Sequence, residues 1–262
     1  MATFVLVHGA WHGGWCWRRV TDLLQAGGHT VFTPTLTGLG DRAHLASPDT
    51  DLDCHIEDVL GLIDMEEIED AILCGHSYGG QVITPVLDRR IDKFRAAMWL
   101  DAFVPTDGHS LMDGWPPERI QHIREQVATS GDGWKIPPMP PEYFGVMDED
   151  DAAWVIRRCV PQPLKTFSQP VHLTGAWESV PKKMYVLAEL HPLLCRSPAS
   201  APSPPSPERK TCASARWDIR MGYILPLYNF AAAGREIRRP CPSLTVPCNR
   251  RPRTRPERGP HR

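Results

Sequence analysis

Apolar residues along the first hundred positions alternate between two spacings. Residues 3–7 (TFVLV) are an apolar, β-branched run that stops at His8-Gly9, the length of a buried parallel strand. Residues 17–25 place Trp17, Val20, Leu23 and Leu24 at helical spacing and stop at Gly27-Gly28. Residues 29–33 predict a second strand closed by Pro34, and residues 35–46, with Gly38, Gly40 and Asp41, read as a loop. Residues 53–65 predict an amphipathic helix with Ile56, Val59, Leu60 and Ile63 on one face. A short strand at 71–74 then runs directly into Gly75, followed by a helix over 78–89 and a strand over 94–100. This alternation predicts an α/β fold, a mostly parallel sheet with helices on both faces.

The pattern changes after residue 104. Over 105–178 strand-like runs disappear, prolines cluster at 137, 138, 140 and 141, and helical pieces are expected at 118–128 and 150–159. This reads as a helical cap inserted over the sheet, and residues 183–188 (KMYVLA) restore a strand. The expected organisation is a core of residues 1–104 and 179–190, a cap of 105–178, and an atypical tail of 191–262. The tail holds 13 of the 27 prolines, 14 basic and only four acidic side chains. Segments such as 197–209 (SPASAPSPPSPER) carry too little apolar surface to fold, so the tail is expected to be largely disordered, with only 217–233 apolar enough to pack.

Composition excludes several function classes. A net charge of -2 gives no reason to expect a nucleic-acid or membrane partner, and the tail's arginines lack interleaved aromatics. Five apolar residues without a basic leader are too few for a signal peptide or membrane span. Eight cysteines without a C-x-x-C pair fit reduced thiols, so a cytoplasmic location is expected. The acidic run 148–151 reads as a solvated helix start rather than a cation site.

The sharpest chemical signal is Gly75-His76-Ser77-Tyr78-Gly79, followed by Gly80. A G-x-S-x-G match is weak alone, but here a strand leads in and a helix leads out. Ser77 is expected on a strained corner with its oxygen exposed, the flanking glycines removing side chains that would collide. Acyl transfer also needs amide donors for the oxyanion. The Tyr78 N–H, next to the serine, and the Ala10 N–H, in the loop after the first strand, are the expected pair. His12 is a candidate for supporting that loop. His76 is expected to pack away from the serine. Trp11, Trp15 and Trp17 fit either a substrate wall or helix burial.

These motifs carry a resemblance. FVLVHGAWHGGWCW (4–17), TPTLTGLGDRAHL (33–45), GHSYGG (75–80) and WLDAFVP (99–105) resemble bacterial α/β-hydrolase esterases of the pyrethroid-hydrolase and salicylate-esterase type. Plant methylesterases and hydroxynitrile lyases are more distantly similar. The resemblance covers about residues 3–190. It implies cofactor-free and metal-free hydrolysis of small hydrophobic carboxylic esters by a Ser-His-Asp triad. Serine at 77 argues against the dehalogenases and epoxide hydrolases of this superfamily, which place an aspartate there. Hydroxynitrile lyases typically carry threonine where this chain has Gly9, which favours esterase over lyase.

A serine hydroxyl needs an imidazole to take its proton. The resemblance implies that this histidine follows the last strand, where only His191 and His261 remain, neither in the family's G-x-x-H-D setting. For the acid, Asp218 is the only aspartate after residue 190, and Asp101 is a positional alternative. A protein that keeps the pocket without the base is therefore the rival to a working esterase. A proline- and arginine-rich tail of this kind is what a GC-rich gene yields when read out of frame. The shift would remove the last strands, the histidine and the terminal helix together. Intact-mass measurement of the native protein is expected to show a different C-terminus; a natural product ending in ERGPHR would defeat the frameshift.

Overall fold

The computed structural model describes residues 1–188 and 212–217. The chain opens with β1 (Thr3–Val7), a 3-10 turn at Gly14–Trp17, α1 (Arg18–Ala26) and β2 (Thr30–Phe32). It continues through α2 (Leu52–Met65), β3 (Ala71–His76), α3 (Gly79–Arg89) and β4 (Phe94–Leu100). The central sheet runs β2-β1-β3-β4 and is extended by β7 (Lys183–Ala188) and β8 (Cys212–Trp217), every pairing parallel. The sequence reading places no strand at 212–217. The expectations for 191–211 and 218–262, including His191, Asp218 and His261, lie outside the described residues. Among the described residues no helix is long and apolar enough to cross a membrane.

Strand order explains where a site forms. The chain steps outward from β1 to β2, then returns across β1 to begin β3, and from there proceeds the other way. In open parallel sheets such a reversal is where loops diverge and a ligand site forms, here at the carboxyl ends of β1 and β3. The two-residue side-chain period sorts the core. Phe4, Leu6, Ile72, Cys74, Ala96, Met98 and Leu100 face α1, where Trp17, Val20 and Leu24 cover them. Val5, Val7, Leu73, Ala97 and Trp99 face the opposite way, onto Ile56, Val59 and Ile63 of α2 and Val82, Ile83 and Val86 of α3.

The segment between β4 and β7 carries α4 (Pro117–Ser130), β5 (Lys135–Ile136), α5 (Glu149–Ile156), β6 (Gln162–Pro163) and α6 (Lys165–Ser168). Proline at the first position of α4 needs no acceptor for the N–H it lacks. Asp148 caps α5 by accepting the Asp151 N–H at 3.0 Å, so part of the acidic run is a helix start. Two expectations are corrected. β5 and β6 pair antiparallel, so the segment does contain strand; two residues are too short to show alternation. The loop at 35–46 contains a 3-10 turn at Gly40–Leu45. The Asp88 carboxylate at the end of α3 accepts the Thr174 N–H at 2.6 Å and the Trp177 N–H at 3.0 Å, fastening the stretch that leads into β7.

Buried histidines hold the loops at the carboxyl edge. His8 Nε2 accepts the Leu36 N–H at 3.1 Å. His55 donates from Nε2 to the Thr37 carbonyl at 2.8 Å, which leaves Nδ1 to accept the Tyr78 hydroxyl at 2.9 Å. Burial lowers the His8 pKa to about 3 and the His76 pKa to about 4, and it lowers that of His55 as well.

Two predictions follow from this packing. A Cβ on Gly80 would run into the Phe103 carbonyl oxygen, whereas one on Gly61, inside α2, meets nothing within 4 Å. Gly80→Ala is expected to cost about 2–3 kcal/mol, while Gly61→Ala stabilises by about 0.5–1 kcal/mol; chemical denaturation measures both. The imidazoles stay neutral in the fold and protonate near pH 6.5 once unfolded, so their stabilisation is complete above 6.5 and is lost as pH falls toward 4. Each such group contributes a slope of up to about 1.4 kcal/mol per pH unit within that window. Unfolding free energies between pH 7 and 4.5 test this; a flat profile contradicts it.

Candidate active site

The β3–α3 corner is sharp because one residue turns the chain. Ser77 has φ 52°, left-handed backbone that a non-glycine residue adopts at a cost of about 1–3 kcal/mol. Tyr78 is already helical, with φ -53° and ψ -31°. Backbone hydrogen bonds hold the corner. The Ser77 N–H donates to the Leu100 carbonyl at 3.2 Å, and the Ser77 carbonyl accepts the Gly80 and Phe103 N–H groups, each at 3.1 Å. The glycines are steric necessities: a Cβ on Gly75 would lie 2.7 Å from the Gly79 oxygen, and one on Gly79 would lie 2.7 Å from the Val7 oxygen. The serine itself is partly exposed, while Tyr78 is buried.

The loop after β1 closes over this corner. A Cβ on Gly9 would lie 3.1 Å from the Ser77 Cβ, so the absent side chain lets the Ala10 backbone approach the serine. Ala10 is buried, and its carbonyl accepts His12 Nδ1–H at 2.7 Å. His12 Nε2 then faces the Cys159 Sγ at 3.8 Å. Among the described residues, the Ala10 and Tyr78 N–H groups make no hydrogen bond. The structure therefore brings Ser77, Tyr78 and the Gly9-Ala10 loop together at the carboxyl edge of the sheet, with His12 supporting that loop.

Asp101 stands just past β4, on the same carboxyl edge. Its φ is 44° and its N–H donates to the Val186 carbonyl at 2.7 Å. Burial, then the Asp101 charge, pushes the Tyr185 phenol up to about 12. His76 packs edge-on to Trp17, ring centroids 6.4 Å apart. Trp17 is fully buried, so it belongs to the core. Trp11 and Trp15 instead meet the inserted segment: Trp11 lies edge-on to Phe167 at 5.9 Å and Trp15 edge-on to Trp154 at 4.7 Å. None of the nine described histidines hydrogen-bonds the Ser77 oxygen. A cleft of about 750 Å³ lies elsewhere, lined by Trp15, Arg18, Asp41, Trp154 and Arg158.

Sequence reasoning missed the residues of the inserted segment that touch this site, Gln162, Thr166 and Phe167. Gln162 is fully buried and accepts the Trp11 N–H at 3.0 Å. A lone glutamine between Pro161 and Pro163 carries no periodic signal, and its partner is 151 positions away in the chain.

Comparison with known proteins agrees with this architecture. The chain is 50% identical over 196 residues to a carbendazim hydrolyzing esterase from Nocardioides sp. (strain SG-4G), covering 72% of this chain and 81% of that protein. It is 36% identical over 109 residues to Methylesterase 2 of Arabidopsis thaliana, a match spanning 41% of each protein. Among solved structures it resembles an extracellular alpha/beta-hydrolase from a Paenibacillus species, which shares structural and functional homology with tobacco Salicylic Acid Binding Protein 2. That likeness has a TM-score of 0.65 and 26% identity, covering 72% of this chain and 78% of the other. The profile of the Alpha/beta hydrolase family matches residues 4–234, and the chain belongs to that family.

Proposed function

We propose that this protein is a serine esterase that hydrolyses small hydrophobic carboxylic esters through an acyl-enzyme on Ser77. The observation that carries the reading is the partly exposed serine in left-handed backbone between β3 and α3, with Gly9 packed against it. In the proposed reaction Ser77 Oγ attacks the ester carbonyl carbon while its proton passes to an imidazole. The Ala10 and Tyr78 N–H groups receive the developing oxyanion, backed by the N-terminal end of α3. The alkoxide leaves with the proton, and water then releases the acid by the same steps in reverse order. His191 and His261 are the histidines that follow β7 in the chain, and Asp101 and Asp218 are the candidate acids. Resemblance to a carbendazim-hydrolysing esterase and a methylesterase supports small esters, methyl esters among them, as substrates.

A second reading is favoured by one observation: no described imidazole hydrogen-bonds the Ser77 oxygen. On that reading the chain binds esters at the same site without turning them over. Hydrolysis of p-nitrophenyl butyrate separates the two. The esterase reading expects turnover that Ser77→Ala reduces by at least about 10³-fold, since the hydroxyl forms the covalent bond. Saturable binding of the ester without product release supports the binding protein. A rate that survives Ser77→Ala overturns the assignment of the nucleophile.

A further inference from the structure

Trp11 directly follows Ala10, and its backbone is left-handed with φ 64°, a conformation that persists only where surroundings impose it. Three hydrogen bonds do so, and all come from the segment between β4 and β7. The Trp11 N–H donates to Gln162 Oε1 at 3.0 Å, its carbonyl accepts the Val160 N–H at 3.0 Å, and its indole Nε1–H donates to the Ile136 carbonyl at 3.1 Å. Gln162 is itself fixed, because its Nε2 donates to Thr166 Oγ1 at 2.7 Å and that hydroxyl donates to the Pro163 carbonyl at 2.6 Å. The next residue, Phe167, is buried between the two loops of the site. Its ring centroid lies 5.9 Å from that of Trp11 and 5.4 Å from that of Tyr78.

We propose that Gln162 is a positioning residue for ester hydrolysis: through Trp11 it sets where the Ala10 amide stands relative to the Tyr78 amide, with Phe167 as the spacer between the two loops. The inference rests on the esterase reading given above. A donor pair for an oxyanion works only at fixed spacing, since a displacement of about 1 Å costs up to about 100-fold in rate. Gln162 touches no reacting atom. Its loss leaves the partly buried Trp11 N–H without its acceptor and frees the strained peptide beside Ala10 to relax. The inserted segment would thus complete the chemistry of the site as well as cover it.

The test compares the full chain with Gln162→Met, which keeps the volume and removes the acceptor, and with Gln162→Glu, which keeps an acceptor oxygen. With p-nitrophenyl butyrate, Gln162→Met is expected to lower kcat by about 10- to 100-fold with KM changed less than about threefold. Gln162→Glu should recover most of that loss. Binding of a trifluoromethyl ketone, which forms the tetrahedral oxyanion, should weaken in step with kcat. A kcat unchanged in Gln162→Met, or a fall in kcat that the ketone affinity does not follow, overturns the proposal. Amide hydrogen exchange of the peptide spanning residues 8–14 is a readout independent of turnover. If the unaltered chain hydrolyses nothing, the esterase reading fails by itself. Faster exchange in Gln162→Met than in the unaltered chain then still supports the positioning role, and equal exchange defeats it. Should Gln162→Met not fold, Gln162→Asn withdraws the acceptor by one methylene and is read the same way.

Discussion

The candidate site depends on a single turn of backbone at Ser77. A strand must become a helix within one residue, and the left-handed conformation that achieves this forces Gly75 and Gly79 within van der Waals range of each other. The same corner presses α3 against the end of β1 at Val7 and against the loop after β4 at Phe103. Side chains larger than hydrogen at 75, 79 or 80 cannot coexist with that approach. The glycines are therefore the condition for placing the serine at the point where strand order reverses.

What surrounds the corner is fastened to it by buried side chains from two other segments of the chain. His55 of α2 receives the Tyr78 hydroxyl and donates to the Thr37 carbonyl, so one buried imidazole ties the residue after the serine to the loop that follows β2. Gln162, in the segment between β4 and β7, receives the Trp11 amide. Such polar groups are costly when unpaired in a dry interior and rigid when paired. The loops at this edge thus owe their positions to a few buried and partly buried polar contacts, and acidification threatens them through the histidines.

Much of the sheet is legible in the sequence because its physics is local. The limits of β1 and β4 coincide with their apolar runs, since parallel strands buried on both faces show unbroken hydrophobicity. β3 extends two residues past its apolar run, because Gly75 and His76 still pair with Trp99 and Leu100 although neither is aliphatic. The Ser77 corner is legible from its glycines. The inserted segment is less so: β5 and β6 are each two residues long, and Gln162 acts across 151 positions, a relation no spacing rule encodes. None of the described histidines hydrogen-bonds the Ser77 oxygen, and composition alone already sets 191–262 apart from the rest of the chain.

The proposed esterase requires the Ser77 oxygen to be a nucleophile facing amide donors. The most direct test is incubation of the native protein with a fluorophosphonate, followed by peptide mass spectrometry. Phosphonylation reads nucleophilicity at a serine in an oxyanion-binding site without requiring the natural ester. One adduct is expected, on Ser77 in the peptide containing Gly75 to Gly80. No adduct under conditions that label a known serine esterase, or an adduct on another residue, would contradict it.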